Sequence, residues 1–321
     1  MPNPPRDAAF IGPHQAMAHE GPQEQFIARL FDALWDRYRQ RVAHVAAYER
    51  VIRNAGAMFV NDHVAFRTLA VQQPLAGIAS VSRVFEALGY RSAGCYNFPD
   101  KHLSAIHYQH ANRGFPKLFI SELKTWELGR DAREAVQRTL ASHRDPIDAP
   151  TLATLESLDG APADAALFDE VVRQFHDLPW RPPEAGDVET VNAESQYAAW
   201  VLVHGYNVNH FTSLINSHGV EALNDIEKTI AALRKAGVPM KAEIEGERGS
   251  KLRQSATEAA VIDVSVRRAG RPERMPWTYA YFELAERGEV TDPETGRPAR
   301  FEGFLGPQAT QLFEMTRVAK T

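Results

Sequence analysis

One cysteine, Cys95, is present among 321 residues, so no intramolecular disulfide can form and a cysteine-rich zinc or iron–sulfur site is excluded. Long apolar runs are missing too: no stretch approaches the ~18 uninterrupted apolar residues of a membrane span. The opening residues, MPNPPRDAAFIGPHQAMAHEGPQEQ, lack the apolar run of about 7–15 residues that marks a secretory signal. These absences make a reducing, cytoplasmic setting the expectation. Positive charge is not in excess: 36 Lys and Arg stand against 41 Asp and Glu, a formal net charge of -5, which leaves no global cationic field to gather nucleic acid. The patterns H-E-x-x-H, G-x-S-x-G and G-x-x-x-x-G-K-[S/T] do not occur, which argues against a thermolysin-like protease, an α/β-hydrolase and a P-loop enzyme.

What is there is an ordinary globular composition, 44% hydrophobic and 24% charged, in a length that suits one large domain or two closely packed halves. Residues 1–22, rich in Pro, Gly and Ala, read as a mobile arm, and 23–321 as a single domain. Phe26, Ile27, Leu30, Phe31, Leu34, Trp35 and Tyr38 recur at threes and fours, which predicts an amphipathic helix from Gln25 toward Asn54. Its second part runs through Val42, Val45, Tyr48 and Ile52 and is closed by Gly56. Asp62–Leu69 reads as a strand with His63, Ala65 and Arg67 on one face. A short helix from Ile78 to Leu88 and strands near Tyr90–Tyr96, Leu103–His107 and Lys117–Leu123 follow. Residues 142–190 look like a loose bridge with one helical piece at Leu167–Phe175.

Beyond the bridge the order repeats. A helix at Ser195–Leu202 and an extended Asn207–Thr212 precede a helix through Leu223, Ile226, Ile230 and Leu233, stopped at Gly237. Strands are then expected at Ala242–Ile244, Lys251–Gln254, Ala260–Val264 and Thr278–Leu284. Both halves, about 23–141 and 191–321, thus read as a histidine-bearing strand, a helix and a strand series ending in a glutamate: Glu122 in LFISELK and Glu283 in YAYFELAER. The separations are 59 residues from His63 to Glu122 and 73 from His210 to Glu283. The fold class read here is α+β with duplicated βαβββ-type modules, and an unduplicated mixed α+β protein is the alternative.

Two imidazoles and a carboxylate on one side of a metal leave the other side open, the facial triad of non-haem iron(II) oxygenases. His63 and Arg67 share a strand face, where a buried arginine needs an anion, although both also suit an edge strand with a structural ion pair. His210, between Val208 and Phe211, competes with His204 and His218 for a ligand role. Burying Glu283 is costly without a metal or a salt bridge to Arg67 or Arg287. Glu122 invites the same reasoning, as a fourth ligand, an acid/base group or a solvent-facing residue. Arg253, Gln254 and Ser255 belong to a polar run, Lys251–Thr257, suited to the far end of a small acid or to a solvated turn. Phe301, Phe304 and Leu305, with Leu312 and Phe313, read as a lid followed by a helix, or as a plain terminal helix.

The blocks DHVAFRTL, NVNHFT, GSKLRQSATEA, YAYFELAER and FEGFLGPQA, spread from about Gln25 to Thr316, resemble the 2-oxoadipate dioxygenase/decarboxylase family. The resemblance implies a vicinal-oxygen-chelate-like fold, duplicated modules forming a curved mixed sheet around a metal site, with added helices. It implies iron(II) held by His63, His210 and Glu283, with Zn(II), Ni(II) or Mn(II) as alternatives, and a substrate carboxylate on Arg67. The reaction it implies converts 2-oxoadipate and O2 to 2-hydroxyglutarate and CO2 without a separate 2-oxoglutarate. This chain is shorter than the lysine-degrading members and differs after Gly249, so the substrate is left as a small 2-oxo acid. A glyoxalase-like isomerase or other oxygen-independent metalloenzyme, and a non-catalytic small-ligand binding protein, are the competing readings. Neither nucleic acid nor membrane is expected as a partner, and a homo-oligomer is left open.

Overall fold

The computed structural model describes residues 12–145, 147–158, 164–293 and 295–305. The helical period of the first segment folds as α1 (Gly21–Arg41), which buries Phe26, Ile27, Leu30, Phe31, Leu34, Trp35 and Tyr38. The chain breaks at Val42, and α2 (Ala43–Ala55) ends at Gly56 in the left-handed region, φ 70, a conformation glycine adopts without a side-chain penalty. Of the span expected to be an arm, residues 12–20 are fastened: His14 is buried and is held by Asp32 at 2.8 Å and by Asn61 at 3.0 Å. Residues 1–11 lie outside the described residues.

The first half continues with β1 (Asn61–Gln72), a short return strand β2 (Leu75–Ala76), α3 (Ile78–Ala87), β3 (Arg91–Phe98), β4 (Leu103–Gln109) and β5 (Lys117–Lys124). Then come five helices, α4 (Arg130–Leu140), α5 (Ala149–Glu156), α6 (Ala165–His176), α7 (Ala185–Glu194) and α8 (Gln196–His204). The expected loose bridge is therefore largely helical. Pro150 and two acids start helices rather than loops: Asp148 caps α5 by accepting from Thr151 N ahead of Pro150, and Asp164 caps α6; proline suits the first turn, where its missing N–H costs nothing.

The second half consists of β6 (Val208–Leu214), α9 (Ile226–Lys235), β7 (Leu252–Ala256), β8 (Val261–Arg268), β9 (Arg271–Thr278) and β10 (Glu283–Arg287), followed by the small pair β11 (Glu289–Thr291) and β12 (Pro298–Arg300). A curved mixed sheet runs β3-β4-β5-β1-β6-β10-β7. The halves repeat one pairing rule. β1 lies parallel to β5, and β5 antiparallel to β4; β6 lies parallel to β10, and β10 antiparallel to β7. They join through the antiparallel pair β1·β6.

Two strand expectations change. Ala242–Ile244 forms no strand; the chain pairs with its neighbour at the isolated bridges Met240–Thr257 and Glu245–Gln254, so the counterpart of β3 is not a continuous ladder. Thr278–Leu284 is not one strand either. Thr278 ends β9, residues 279–282 cross over with Tyr279 N bonded to Ala260 O and Thr257 N to Phe282 O, and β10 starts at Glu283. The β8–β9 hairpin, turned by Ala269 (φ 49) and Gly270 (φ 77) as two-residue hairpins favour, is inserted between β7 and β10. That insertion accounts for the longer separation between His210 and Glu283.

One sheet face packs on helices: Phe66 meets Phe85 of α3 and Phe175 of α6, and Phe211 meets Trp35 and Tyr38 of α1. Alternation along β1 and β6 then aims His63, Arg67 and His210 at the other face. No described helix is long and apolar enough to cross a membrane.

His204, at the end of α8, is buried with Nε2 bonded to Thr278 O at 2.9 Å and packs against Trp200 and Tyr279. Burial pushes its pKa down to about 3. An unfolded histidine takes its proton near pH ~6.5, so this group's contribution to stability is complete above that pH and is lost as pH falls toward 3. Urea midpoints of the wild-type chain should accordingly decline on acidification from pH ~6.5. His204→Gln, which keeps a donor for Thr278 O and cannot titrate, should show a shallower decline; equal slopes would assign the acid sensitivity elsewhere.

Candidate metal centre

Three adjacent strands build the centre. On β1 and β6 His63 stands opposite Thr212, and on β6 and β10 Thr212 stands opposite Glu283, so His63, Thr212 and Glu283 form one row across the sheet. His210 lies two residues back along β6 and, with a period of two, on the same face. One donor atom from each of His63, His210 and Glu283 lies within 4.8 Å of the others, and all three residues are buried. His63 Nε2 is 3.3 Å from Glu283 Oε1, His210 Nε2 is 3.3 Å from Oε2, and the two Nε2 atoms are 3.4 Å apart.

The outer partners orient the rings. His63 Nδ1 lies 2.8 Å from Asp62 Oδ2, and His210 Nδ1 3.0 Å from Asn209 Oδ1. A carboxylate and an amide oxygen only accept, so each Nδ1 donates and each Nε2 lone pair faces inward. Asp62 is itself gripped by Arg287, Nε to Oδ1 at 2.6 Å and a terminal nitrogen to Oδ2 at 2.7 Å. Buried Asp62 still titrates well below its usual range, since the Arg287 charge and hydrogen bonds outweigh desolvation. Burial lowers the His63 pKa, but the Glu283 charge and Asp62 raise it further, for a net upward shift; burial, His63 and Arg67 push His210 well below.

These residues fit a divalent cation. Glu283 is fully buried, its Oε1 accepts from Gln254 Nε2 at 2.6 Å, and its Oε2 has no hydrogen-bond partner among the described residues. An orphaned carboxylate oxygen facing two inward lone pairs is costly in a dry core and is satisfied by a positive ion. Two nitrogens and one carboxylate suit Fe, Zn, Ni or Mn.

The cavity beside the cluster is lined by Arg67, Phe119, Gln254, Tyr281 and Phe304 together with the histidines. The Arg67 guanidinium is buried at 5.0 Å from the Tyr197 ring and 5.5 Å from that of Trp200 and bonds to Tyr281. Tyr281 stacks on His210 at 4.7 Å. Nearby Glu245, bridged through its backbone to Gln254, is pushed up to about 8 by burial and by the Glu283 charge.

Other expected residues lie elsewhere. Glu122 accepts from Ile78 N at the start of α3, 2.9 Å away; it pairs with Thr68, and Ser121, of the opposite parity, faces the cavity. Nor is Glu122 the counterpart of Glu283. Glu283 stands opposite Thr212, two positions beyond His210 on the leading strand, and the residue in that place in the first half, opposite Ala65, is Phe119. Arg253 and Ser255 point away, Arg253 to Glu227 at 2.5 Å and Glu286 at 3.1 Å, Ser255 to Glu243 O. Strand alternation leaves only Gln254 of that trio facing Glu283. His204 sits at the far end of α8, and His218 bonds Tyr48 and Leu223 O. Asp62, Asn209 and Thr212 were not singled out from sequence. The available signal was the Asx-His dipeptide on both leading strands, Asp62-His63 and Asn209-His210.

The profile of the 2-oxoadipate dioxygenase/decarboxylase family matches residues 27–305. Among curated proteins the chain is similar to the 2-oxoadipate dioxygenase/decarboxylase of Oryza sativa subsp. japonica, 29% identical over 79% of this chain and 68% of that one. It is 28% identical to the counterpart in Arabidopsis thaliana, over 79% and 67%. The crystal structure of the Oryza sativa hydroxyglutarate synthase in complex with 2-oxoadipate shares the fold, with a TM-score of 0.73 at 24% identity over 94% of this chain and 97% of that one. The cytoplasmic expectation is corrected by the two curated relatives, which are chloroplastic or chloroplastic/amyloplastic proteins. A missing apolar run bears only on secretory signals, since organelle transit segments are amphipathic and rich in Arg and Ser. With the fold, the buried His, His, Glu cluster and a family match over most of its length, the chain belongs to the 2-oxoadipate dioxygenase/decarboxylase family.

Proposed function

We propose that this enzyme is an iron(II)-dependent dioxygenase/decarboxylase of a small 2-oxo acid, with 2-oxoadipate as the first candidate. The observation that carries the reading is the convergence of His63, His210 and Glu283 on one spot beside the buried cation Arg67, in a chain of this family. Iron(II) on those three side chains would supply the redox chemistry that activates oxygen, with coordination positions left for the oxo acid. The residues of the chain do the rest. Arg67 offers a buried fork for a carboxylate, preset by the aromatic rings of Tyr197 and Trp200, so the anion is fixed without ordering a flexible side chain. Gln254 holds Glu283 Oε1, and Phe304 lies against His63, ring centres 4.9 Å apart, which keeps bulk water off the reacting carbon.

The balance closes on one acid and one O2. Loss of C1 as CO2 and hydroxylation of the shortened acid each provide two electrons, so 2-oxoadipate and O2 give 2-hydroxyglutarate and CO2 with no further reductant.

Removal of either imidazole, by His63→Ala or His210→Ala, should weaken metal binding beyond the roughly 10–100-fold cost of losing an outer hydrogen-bond partner, whereas His204→Ala should not change it. Chelator competition after anaerobic loading reads this; loss of metal in the His204 variant instead would overturn the ligand set. On mixing iron-loaded enzyme with 2-oxoadipate and oxygen, O2 uptake and CO2 release should be equal. Arg67→Met should lower kcat/KM roughly 10–100-fold, the worth of a charged hydrogen bond. Silence across a panel of 2-oxo acids, with iron bound, would sink the proposal.

A further inference from the structure

Residues 300–305 cross the mouth of the cavity as a strap. Phe301 N bonds to Gly288 O at 2.9 Å, Glu302 pairs with Lys117 at 2.5 Å, and Phe304 N reaches the Tyr96 hydroxyl at 3.4 Å. The Phe304 ring packs at 4.9 Å from His63, 5.0 Å from Phe119 and 5.3 Å from His107. Beneath it lies a small cavity lined by His63, His210, Arg67 and Gln254, so movement of the strap would open or close the approach to the centre.

Besides the Phe304 ring, a buried arginine ties that strap to the cluster. Arg287, with its side chain fully buried, spends two nitrogens on Asp62. Its third donates to Phe301 O at 3.0 Å and Gly303 O at 2.8 Å, and its guanidinium carbon lies 5.4 Å from the Phe304 ring centre. Asp62 in turn holds His63 Nδ1. The chain of contacts from strap carbonyl to guanidinium, carboxylate and imidazole has no gap. The counterpart His210 is held by the neutral Asn209 and has no such tie among the described residues.

We propose that Arg287 is a positioning residue that couples the metal centre to the 300–305 strap, so that metal binding at His63 and closure of the strap favour one another. The coupling rests on His63 being a metal ligand, as proposed above. A cation on Nε2 fixes the imidazole, which fixes Asp62, and Arg287 is then set with its remaining N–H groups aimed at the two strap carbonyls. By linkage, a closed strap strengthens metal binding by the same factor that metal slows strap opening.

Zinc(II), which takes the same donors and does not react with oxygen, tests this without turnover. Hydrogen exchange of the Phe301 and Phe304 amides in the full chain should slow about tenfold when zinc is added, a coupling within the usual range. Arg287→Lys keeps the charge but lacks the planar fork needed to span Asp62 and two carbonyls; zinc should bind it roughly 10–100-fold more weakly and leave strap exchange unchanged. Asp62→Asn, which breaks the ionic fork, should give the same uncoupling and serves if the lysine variant does not fold. A wild-type strap that ignores bound zinc, or one protected equally in the variants, overturns the coupling while the metal site stands. Failure of the wild-type chain to bind zinc at all overturns the ligand reading and the coupling with it.

Discussion

Antiparallel pairing of β1 with β6 is the contact on which the rest of the molecule depends. It joins the two halves and places His63 against Thr212 with His210 on the same face; the parallel pair β6·β10 then adds Glu283 to that row. A slip of one residue in either ladder would turn a ligand toward the helices, because side chains alternate with a period of two. The register is secured from the other side. Val64 and Phe211, each adjacent in sequence to a histidine, are fully buried in the core, so packing apolar residues on one face fixes where the polar residues stand on the other.

The polar face is costly by itself. Glu283, His63, Arg67, Asp62 and Arg287 are all buried, and desolvating charges in a core is repaid only by close and complete pairing. Asp62 and Arg287 satisfy each other as a fork. Glu283 does not: its Oε2, without a hydrogen-bond partner among the described residues, costs roughly 1–3 kcal/mol or more, as a buried acceptor left alone. That cost is returned when a cation arrives, so stability and metal binding are linked at this carboxylate. The pattern differs from the surface ion pairs around Arg268 or Arg130, which sit in solvent and contribute little to folding.

Duplication has been used asymmetrically. Each leading strand carries an Asx-His dipeptide, and each half repeats a parallel and an antiparallel pairing. The place taken by Glu283 in the second half is occupied by Phe119 in the first, and Phe119 helps line the cavity and packs on Phe304. One module thus supplies a carboxylate and the other an apolar wall. The echo between Glu122 and Glu283 in the letters misled because both sit in closely similar strings, whereas equivalence is set by the strand-to-strand register.

The histidine-bearing strand and following helix of each half, the facing of His63 with Arg67, and the family were legible in the residues alone, because period, parity and short motifs are local properties. So was the impossibility of a disulfide. The helical nature of the bridge was hidden by reading proline as a loop former when it opens α5. Only the tertiary structure decided that the donor atoms of three residues distant in sequence meet within 4.8 Å, that Arg253 and Ser255 turn outward, and that Arg287 reaches both Asp62 and the strap. Those facts depend on register and crossing between strands far apart in the chain, and no local pattern encodes which residue of one strand stands opposite which residue of another.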